Sequence, residues 1–510
     1  MIERYTHKEM AGIWTDAEKL AAWQQVELAV IEARARLEII PKGYFKRIKT
    51  SLEEHPASIE WWKARERETS HDLQAWVEER VRHLPLSLRQ YFHEGMTSFD
   101  TEETAFLMHL KRAFVHVFKG CVDLEDALKN LALKYRYCPM MAVTHGQYAE
   151  VQTFGKRCLT WYAEIKFAEE KIVREFEQLR YSKISGAIGS YGGLSPEVEA
   201  KALEILKFLP FHGATQILPR QIHASFAQSL TALVLVISKI GMDIRLGARS
   251  PRPIYQEPFG KNQTGSTAMP QKKNTISGEQ LEGMGRMAMG YFDSIMRNIG
   301  TWEERSIEQS CVERVAWPDL FHVTMRALTV CTKVMNGLQV YPDHMMQDVA
   351  DTHGTWAGGA AKEFLRSKLV KFGITSEESY RIVQLASFSV SQPDGISAAV
   401  RANPPTSLVQ ADKYLNAFSE MGRDEGGLSI KNVIAGARLQ VVPGQGITKA
   451  QVKKWNRALK KLFPPELPIS PSLMLRISAP PPIYGEWDEI FSIQNRLKNE
   501  DHLYEHILAD

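Results

Sequence analysis

Between Thr104 and Asp348 the chain carries five segments of 20 to 30 residues, Ala105–Lys134, Thr153–Leu179, Gln221–Ile244, Ser277–Ile299 and Trp317–Leu338, each amphipathic or wholly apolar and poor in internal proline. Helices of that length persist only by burying an apolar stripe against other helices, so the pattern predicts an all-α body built as a bundle of long helices. Leu230–Ile237 is apolar on every side, which puts its helix in the middle of the bundle and suggests that further chains supply some of its neighbours. No run alternates as a strand of an α/β enzyme would, and no fixed-period repeat is evident. The division expected is an N-terminal helical domain over 1–103, the long-helix bundle over 104–348, and a C-terminal helical domain with a proline-rich tail over 349–510.

The flanks are less regular. Thr15 and Glu18 form a capping box ahead of Leu20, Trp23, Val30 and Leu37, whose spacing suits one helix face. Ala361–Val370 and Ser376–Ala386 read as helical, the stretch from Phe463 to Tyr484 as extended, and a short amphipathic helix is expected from about Trp487. The tail is expected to wrap the surface away from any active site. The basic run Lys453–Lys461 reads as a helix with a solvated face, a nucleic-acid patch being its other reading.

Charge narrows the function classes. Lys plus Arg is 63 against 60 for Asp plus Glu, a net charge of +3, so no global field recruits nucleic acid or an anionic membrane. Anionic ligands must be met by local basic groups. The five cysteines form no CxxC pair, and their odd number argues for a reducing, cytoplasmic setting. The opening residues lack the apolar core of a secretion signal, and the longest apolar run is far short of a membrane span. No zinc-hydrolase, Walker or dinucleotide motif occurs, so neither a zinc hydrolase nor a nucleotide-dependent motor is indicated.

Chemistry-bearing residues collect in several polar stretches. Gly260–Glu279 contains Gly265, Ser266, Met269, Pro270, Lys272 and Asn274, a composition suited to a mobile loop that closes over substrate, though equally to a plain polar loop before a helix. Ser70-His71-Asp72 and Thr97-Ser98-Phe99-Asp100 precede helical runs, where free N–H groups favour anions or ordinary caps. Thr144-His145-Gly146-Gln147 interrupts a helical pattern with a glycine beside an imidazole, a place for an acid or base or for a structural histidine. Arg305, Ser310 and Arg314 follow, the last two on one face if the segment is helical, where they would either hold a phosphate or lie on a solvated face.

In order, these stretches resemble the fumarase/aspartase superfamily. Gly265–Asn274 is similar to its signature loop, Gly-Ser-Ser-x-Met-Pro-x-Lys-x-Asn-Pro, with Thr267 and Thr275 as departures. Arg4-Tyr5, Thr69–Asp72, Thr97–Asp100, Thr144–Gln147, Lys183–Gly189, Thr215-Gln216 and Trp302–Arg314 are most similar to the adenylosuccinate lyases, with Phe99, Gln309 and Cys311 as departures. The resemblance covers roughly residues 1–400. It implies an all-α, three-domain lyase that eliminates fumarate from a succinylated purine nucleotide without metal or cofactor, as a homotetramer with active sites shared between chains. It further implies Ser266 as the base and His145 as the acid that protonates the leaving nitrogen. Arg4, Tyr5, Ser70, His71, Asp72, Thr97, Ser98, Thr144, Gln216, Lys272, Asn274, Arg305, Ser310 and Arg314 would bind substrate. Rival readings are another lyase or cycloisomerase of the superfamily, a non-catalytic structural protein on the same scaffold, and a helical nucleic-acid binder.

Overall fold

The computed structural model describes residues 1–352, 354–369, 376, 377, 379, 380 and 489–509. The calls on Lys453–Lys461 and the proline-rich stretch, and most of that on Ser376–Ala386, lie outside these residues. The described chain forms two compact units, Met1–Ala127 with Glu164–Leu246 and Glu257–Gly337, and Leu128–Ala163 with Gly247–Gln256 and the described residues from Leu338 onward.

The first unit begins with five helices, α1 (Lys8–Ile13), α2 (Asp16–Arg36), α3 (Lys42–Glu53), α4 (Ile59–Thr69) and α5 (Asp72–Val81). The capping box expected at Thr15 is present on its serine/threonine side: Thr15 Oγ1 accepts the Glu18 N–H at 3.2 Å. Trp23, buried on α2, meets Trp62 and Trp76 edge-on, which fixes α4 and α5 against it.

Five long helices follow: α6 (Ser98–Lys134), α7 (Phe154–Gln178), α9 (Arg220–Gly247), α10 (Ile276–Arg297) and α11 (Glu308–Gly337), with the short α8 (Pro196–Leu206) between α7 and α9. They match the five segments foreseen, and α11 starts nine residues before Trp317, running through Pro318. The proline lies in the third turn and costs the helix one N–H donor but does not end it, with Trp317, Leu320 and Phe321 beside it buried. Phe226, Trp317, Phe321, Phe114 and Phe176 stack between α6, α7, α9 and α11 in the first unit. Leu230, Leu233, Val234 and Ile237 are buried as expected, but Leu235 remains 41% exposed. The helix is thus enclosed on most faces rather than all.

The second unit holds a hairpin that sequence pattern did not reveal. β1 (Pro139–Thr144) pairs antiparallel with β2 (Gln147–Thr153), so Thr144–Gln147 is the tip of a hairpin and not a break in a helix. Its strands alternate poorly: Met140 and Met141 are both buried and neighbouring residues at the tip are all exposed, which hides the period-2 signal. α12 (Pro342–Asp351) packs on β1, and α13 (Gly358–Leu369) follows. The expected terminal helix is two, α14 (Ile493–Leu497) and α15 (Glu500–Ile507), each of them part of the second unit.

Candidate active site

The first unit assembles the groups suited to a phosphate. Since α11 begins at Glu308, Ser310 and Arg314 lie one turn apart on one face, as foreseen. Arg305, just ahead of the helix, donates through Nη2 to Ser310 Oγ at 3.0 Å and through Nη1 to Gln216 Oε1 at 2.9 Å. Its guanidinium lies 3.8 Å over the buried ring of Phe99. Gln216 is itself fixed, donating from Nε2 to the Ala187 carbonyl at 2.9 Å. Two of the departures therefore have a structural reason. Phe99 is the platform under Arg305, and Gln309 accepts the Ser310 hydroxyl at 2.9 Å while donating to Glu313.

Arg314 donates to Asp72 at 2.8 Å and to Glu102 at 3.4 Å, and Lys19 reaches the same Asp72 oxygen at 3.2 Å. Arg314, Glu102 and Lys19 line a cavity of about 330 Å³ with Phe99, Ser310 and Arg220. Burial and the neighbouring Asp72 carboxylate raise Glu102 to about 7, against the pull of Arg314, Lys19 and Arg305. Glu102 thus changes charge near neutrality inside a site fit for anions. Its protonation below pH 7 frees Arg314 from one competing carboxylate, so phosphate is expected to bind more tightly as pH falls from 8 to 6. A Glu102→Gln variant should flatten that trend in a titration with inorganic phosphate, after allowing for the ligand's own ionisation; an unchanged slope would remove Glu102 from the effect.

Beneath the cavity, Arg220 pairs with Glu103 at 2.7 Å and with Glu313 at 2.9 Å, all buried. Burial alone would raise Glu103, but Arg220 and His223 outweigh it and hold the carboxyl down at about 2. Sequence reading missed Lys19, Glu102, Glu103 and Arg220. Acidic residues in the first turn of α6 look like ordinary dipole partners, and only the fold separates Glu102, facing Arg314, from Glu103, facing Arg220.

Around this cluster the other candidates take varied places. Ser70 ends α4 with a left-handed φ of 54°, and His71 Nδ1 caps α5 by accepting the Gln74 N–H at 3.3 Å. Thr97 N–H donates to Asp100 Oδ2 at 2.8 Å, and Ser98 starts α6. Asp100 Oδ1 takes the Lys183 ammonium at 2.5 Å and the Gly186 N–H at 3.1 Å, tying the Thr97-Ser98 turn to the Lys183–Gly189 turn that supports Gln216. Arg4 and Tyr5 form a single 3₁₀ turn, Arg4 exposed and Tyr5 half-buried.

The loop between Glu257 and α10 also belongs to the first unit. Glu257, buried, accepts the Ser277 and Gly278 N–H groups at 3.0 to 3.1 Å and so caps α10, a task the Thr275 side chain does not perform. A Cβ on Gly265 would lie 1.9 Å from the Lys272 carbonyl, so glycine is what lets the two ends of the motif close on each other. Ser266 Oγ accepts the Ala268 and Met269 N–H groups at 3.3 and 3.1 Å. Two donors aimed at a hydroxyl oxygen favour its ionised form, which is what a serine needs to act as a base. Lys272 is exposed and Asn274 half-buried on the same loop.

Thr144 and His145 belong to the second unit. Thr144 pairs with Gln147, leaving His145 and Gly146 as a two-residue turn with φ of 53° and 75°. Both central residues at positive φ define a type I′ turn, which holds the exposed imidazole at the tip of two strands. A non-glycine residue at that φ is uncommon, and histidine tolerates it better than most.

A family model described as Lyase matches residues 3–290. The adenylosuccinate lyase of Thermotoga maritima is 36% identical over 384 residues, covering 75% of this chain and 87% of that protein. That of Synechocystis sp. is 34% identical over 421 residues, covering 82% and 96%. Among solved structures, a fumarate lyase from Mesorhizobium sp. BNC1 shares the fold with a TM-score of 0.69 at 19% identity, over 90% of this chain and 99% of that one. The 3-carboxy-cis,cis-muconate lactonizing enzyme from Pseudomonas putida shares it with a TM-score of 0.68 at 20% identity, over 89% and 98%. Long-helix fold and sequence together define a lyase of the fumarase/aspartase superfamily. Within it the chain belongs to the adenylosuccinate lyases, and it is accordingly a carbon–nitrogen lyase.

Proposed function

We propose that this enzyme removes fumarate from adenylosuccinate, leaving AMP, and performs the same elimination on the succinylated aminoimidazole carboxamide ribotide of purine biosynthesis. The observation that carries the reading is the cluster in which Arg305, bridged to Gln216 and stacked on Phe99, donates to Ser310 one turn from Arg314. Such a fork of guanidinium groups with a hydroxyl suits a nucleotide phosphate, and a superfamily member without a phosphate to bind has no use for it.

In the proposed reaction Ser266 takes the proton from the carbon beside a succinyl carboxylate. Charge then builds on that carboxylate, where Lys272 and Asn274 hold it, and the bond from carbon to nitrogen breaks as His145 delivers a proton to the nitrogen. Arg4, Tyr5, Ser70, His71, Asp72, Thr97, Ser98, Thr144 and Gln216 complete the substrate contacts. No cofactor enters these steps. The cycloisomerase alternative shares the fold with this chain at low identity, and no observation on the site favours it.

The proposal includes a homotetramer with composite sites, supported by apolar side chains that one chain leaves exposed on its long helices: Phe118, Phe167, Leu235, Met242 and Met289. Five free thiols, four of them buried, fit a cytoplasmic setting.

Fumarate release from adenylosuccinate tests the reaction directly, and a pure enzyme that releases none overturns it. Composite sites predict complementation. Inactive Ser266→Ala and His145→Ala proteins, mixed and allowed to exchange subunits, should regain a fraction of wild-type activity, because some sites then draw both residues from intact chains. Background activity after verified exchange rejects shared sites.

A further inference from the structure

The hairpin that carries His145 has only two strands, and an isolated hairpin is marginally stable in water. Something must hold its base. α12 packs on β1, and the end of β2 is held by the last residues of the chain. Thr153, the final residue of β2, donates to Glu500 from both its N–H, at 3.3 Å, and its hydroxyl, at 2.6 Å. Glu150, also on β2, pairs with Arg496. Arg136, in the link between α6 and β1, bonds Asp501 at 2.9 Å and stacks 4.6 Å from the Tyr504 ring.

Tyr504 is the centre of this contact. It is 3% exposed, and its hydroxyl donates to the Ala132 carbonyl at 3.0 Å. The space for that hydroxyl exists only because residue 155 is glycine: a Cβ there would stand 2.2 Å from the tyrosine oxygen. Both strands of the hairpin are thus gripped at the end opposite the His145 tip, by residues at the far end of the sequence. Of the tail, only residues 489–509 are among those described, and they dock on the base of the hairpin.

We infer that residues 489–509 fix the position of the His145 imidazole, with Glu500 acting as a positioning residue through Thr153; this rests on reading His145 as the acid of the elimination. A base that loosens lets the tip swing, and a misplaced acid slows the chemical step without weakening substrate binding. The lever is geometric, so the effect appears in kcat and not in KM.

Two measurements on the full-length enzyme test this. First, hydrogen exchange: Glu500→Ala is expected to speed exchange of the hairpin amides, residues 139–153, by about tenfold or more while α9 amides keep their protection. Unchanged hairpin exchange overturns the inference whatever His145 does. Second, kinetics with adenylosuccinate: Glu500→Ala should lower kcat about tenfold with KM unchanged, and Glu500→Gln, which keeps an acceptor for Thr153, should recover most of it. In a His145→Ala background Glu500→Ala should cost nothing further, because the group it positions is gone. Equal losses in both backgrounds, or a rise in KM alone, overturn the inference. Should Glu500→Ala fold poorly, Thr153→Val, which deletes the hydroxyl donor to Glu500 together with the acceptor of the Lys156 N–H, is expected to give the same pattern. If His145→Ala retains full turnover while the exchange result holds, the assignment of His145 has failed and the anchoring of the hairpin has not.

Discussion

Ser266→Ala is expected to lower turnover by roughly 10²–10⁴-fold with little change in KM. The substitution removes the oxygen that accepts the Ala268 and Met269 N–H groups and leaves both donors on an exposed loop where water replaces it, so the fold should be unaffected. On the proposed assignment, binding is carried elsewhere, by Arg305, Ser310 and Arg314 on and before α11. Arg314→Ala should therefore show the opposite split, a raised KM with a smaller fall in kcat, though part of its effect will come from leaving Asp72 with Lys19 as its remaining cation. Steady-state fumarate release separates the two. Normal turnover by Ser266→Ala would take the serine out of its role.

The long helices were legible because each repeats an apolar stripe over many turns, and a signal summed over 20 or more residues survives local exceptions such as Pro318. The His145 hairpin was not. Its two strands have six and seven residues, exposed at the tip and buried at the base, so burial follows position along the strand instead of alternating across it. Motif residues marked the stretches proposed to carry chemistry but not what supports them. Phe99 reads as a flaw in a polar motif but is the platform under Arg305, and Gln309, read only as a departure, braces Ser310. The contact of Phe99 with Arg305 joins residues more than 200 positions apart, and nothing in a local pattern encodes it. Tyr504 and Gly155 make the same point, since a glycine after a strand announces a turn or a close approach without saying what approaches.

Lys183→Met is expected to destabilise the enzyme by about 3–5 kcal/mol, the cost of stranding one member of a buried ion pair. Lys183 and Asp100 are both fully buried and meet at 2.5 Å, and the ammonium also donates to the Gly186 carbonyl at 2.9 Å. With the lysine gone, the Asp100 carboxylate keeps two backbone donors, from Gly186 and Thr97, but loses its countercharge. Replacing both residues, as Lys183→Met with Asp100→Asn, should recover part of the stability at neutral pH, because a neutral amide needs no countercharge. The same pair ties the Thr97-Ser98 turn to the turn whose Ala187 carbonyl holds Gln216, which in turn holds Arg305. Loosening it should therefore also raise KM for the nucleotide, and by more than the stability loss alone explains at temperatures where the variant is still folded. Thermal unfolding, read beside KM, checks both halves. A variant that unfolds at the wild-type temperature would show that Lys183 and Asp100 contribute no net stability as an ion pair.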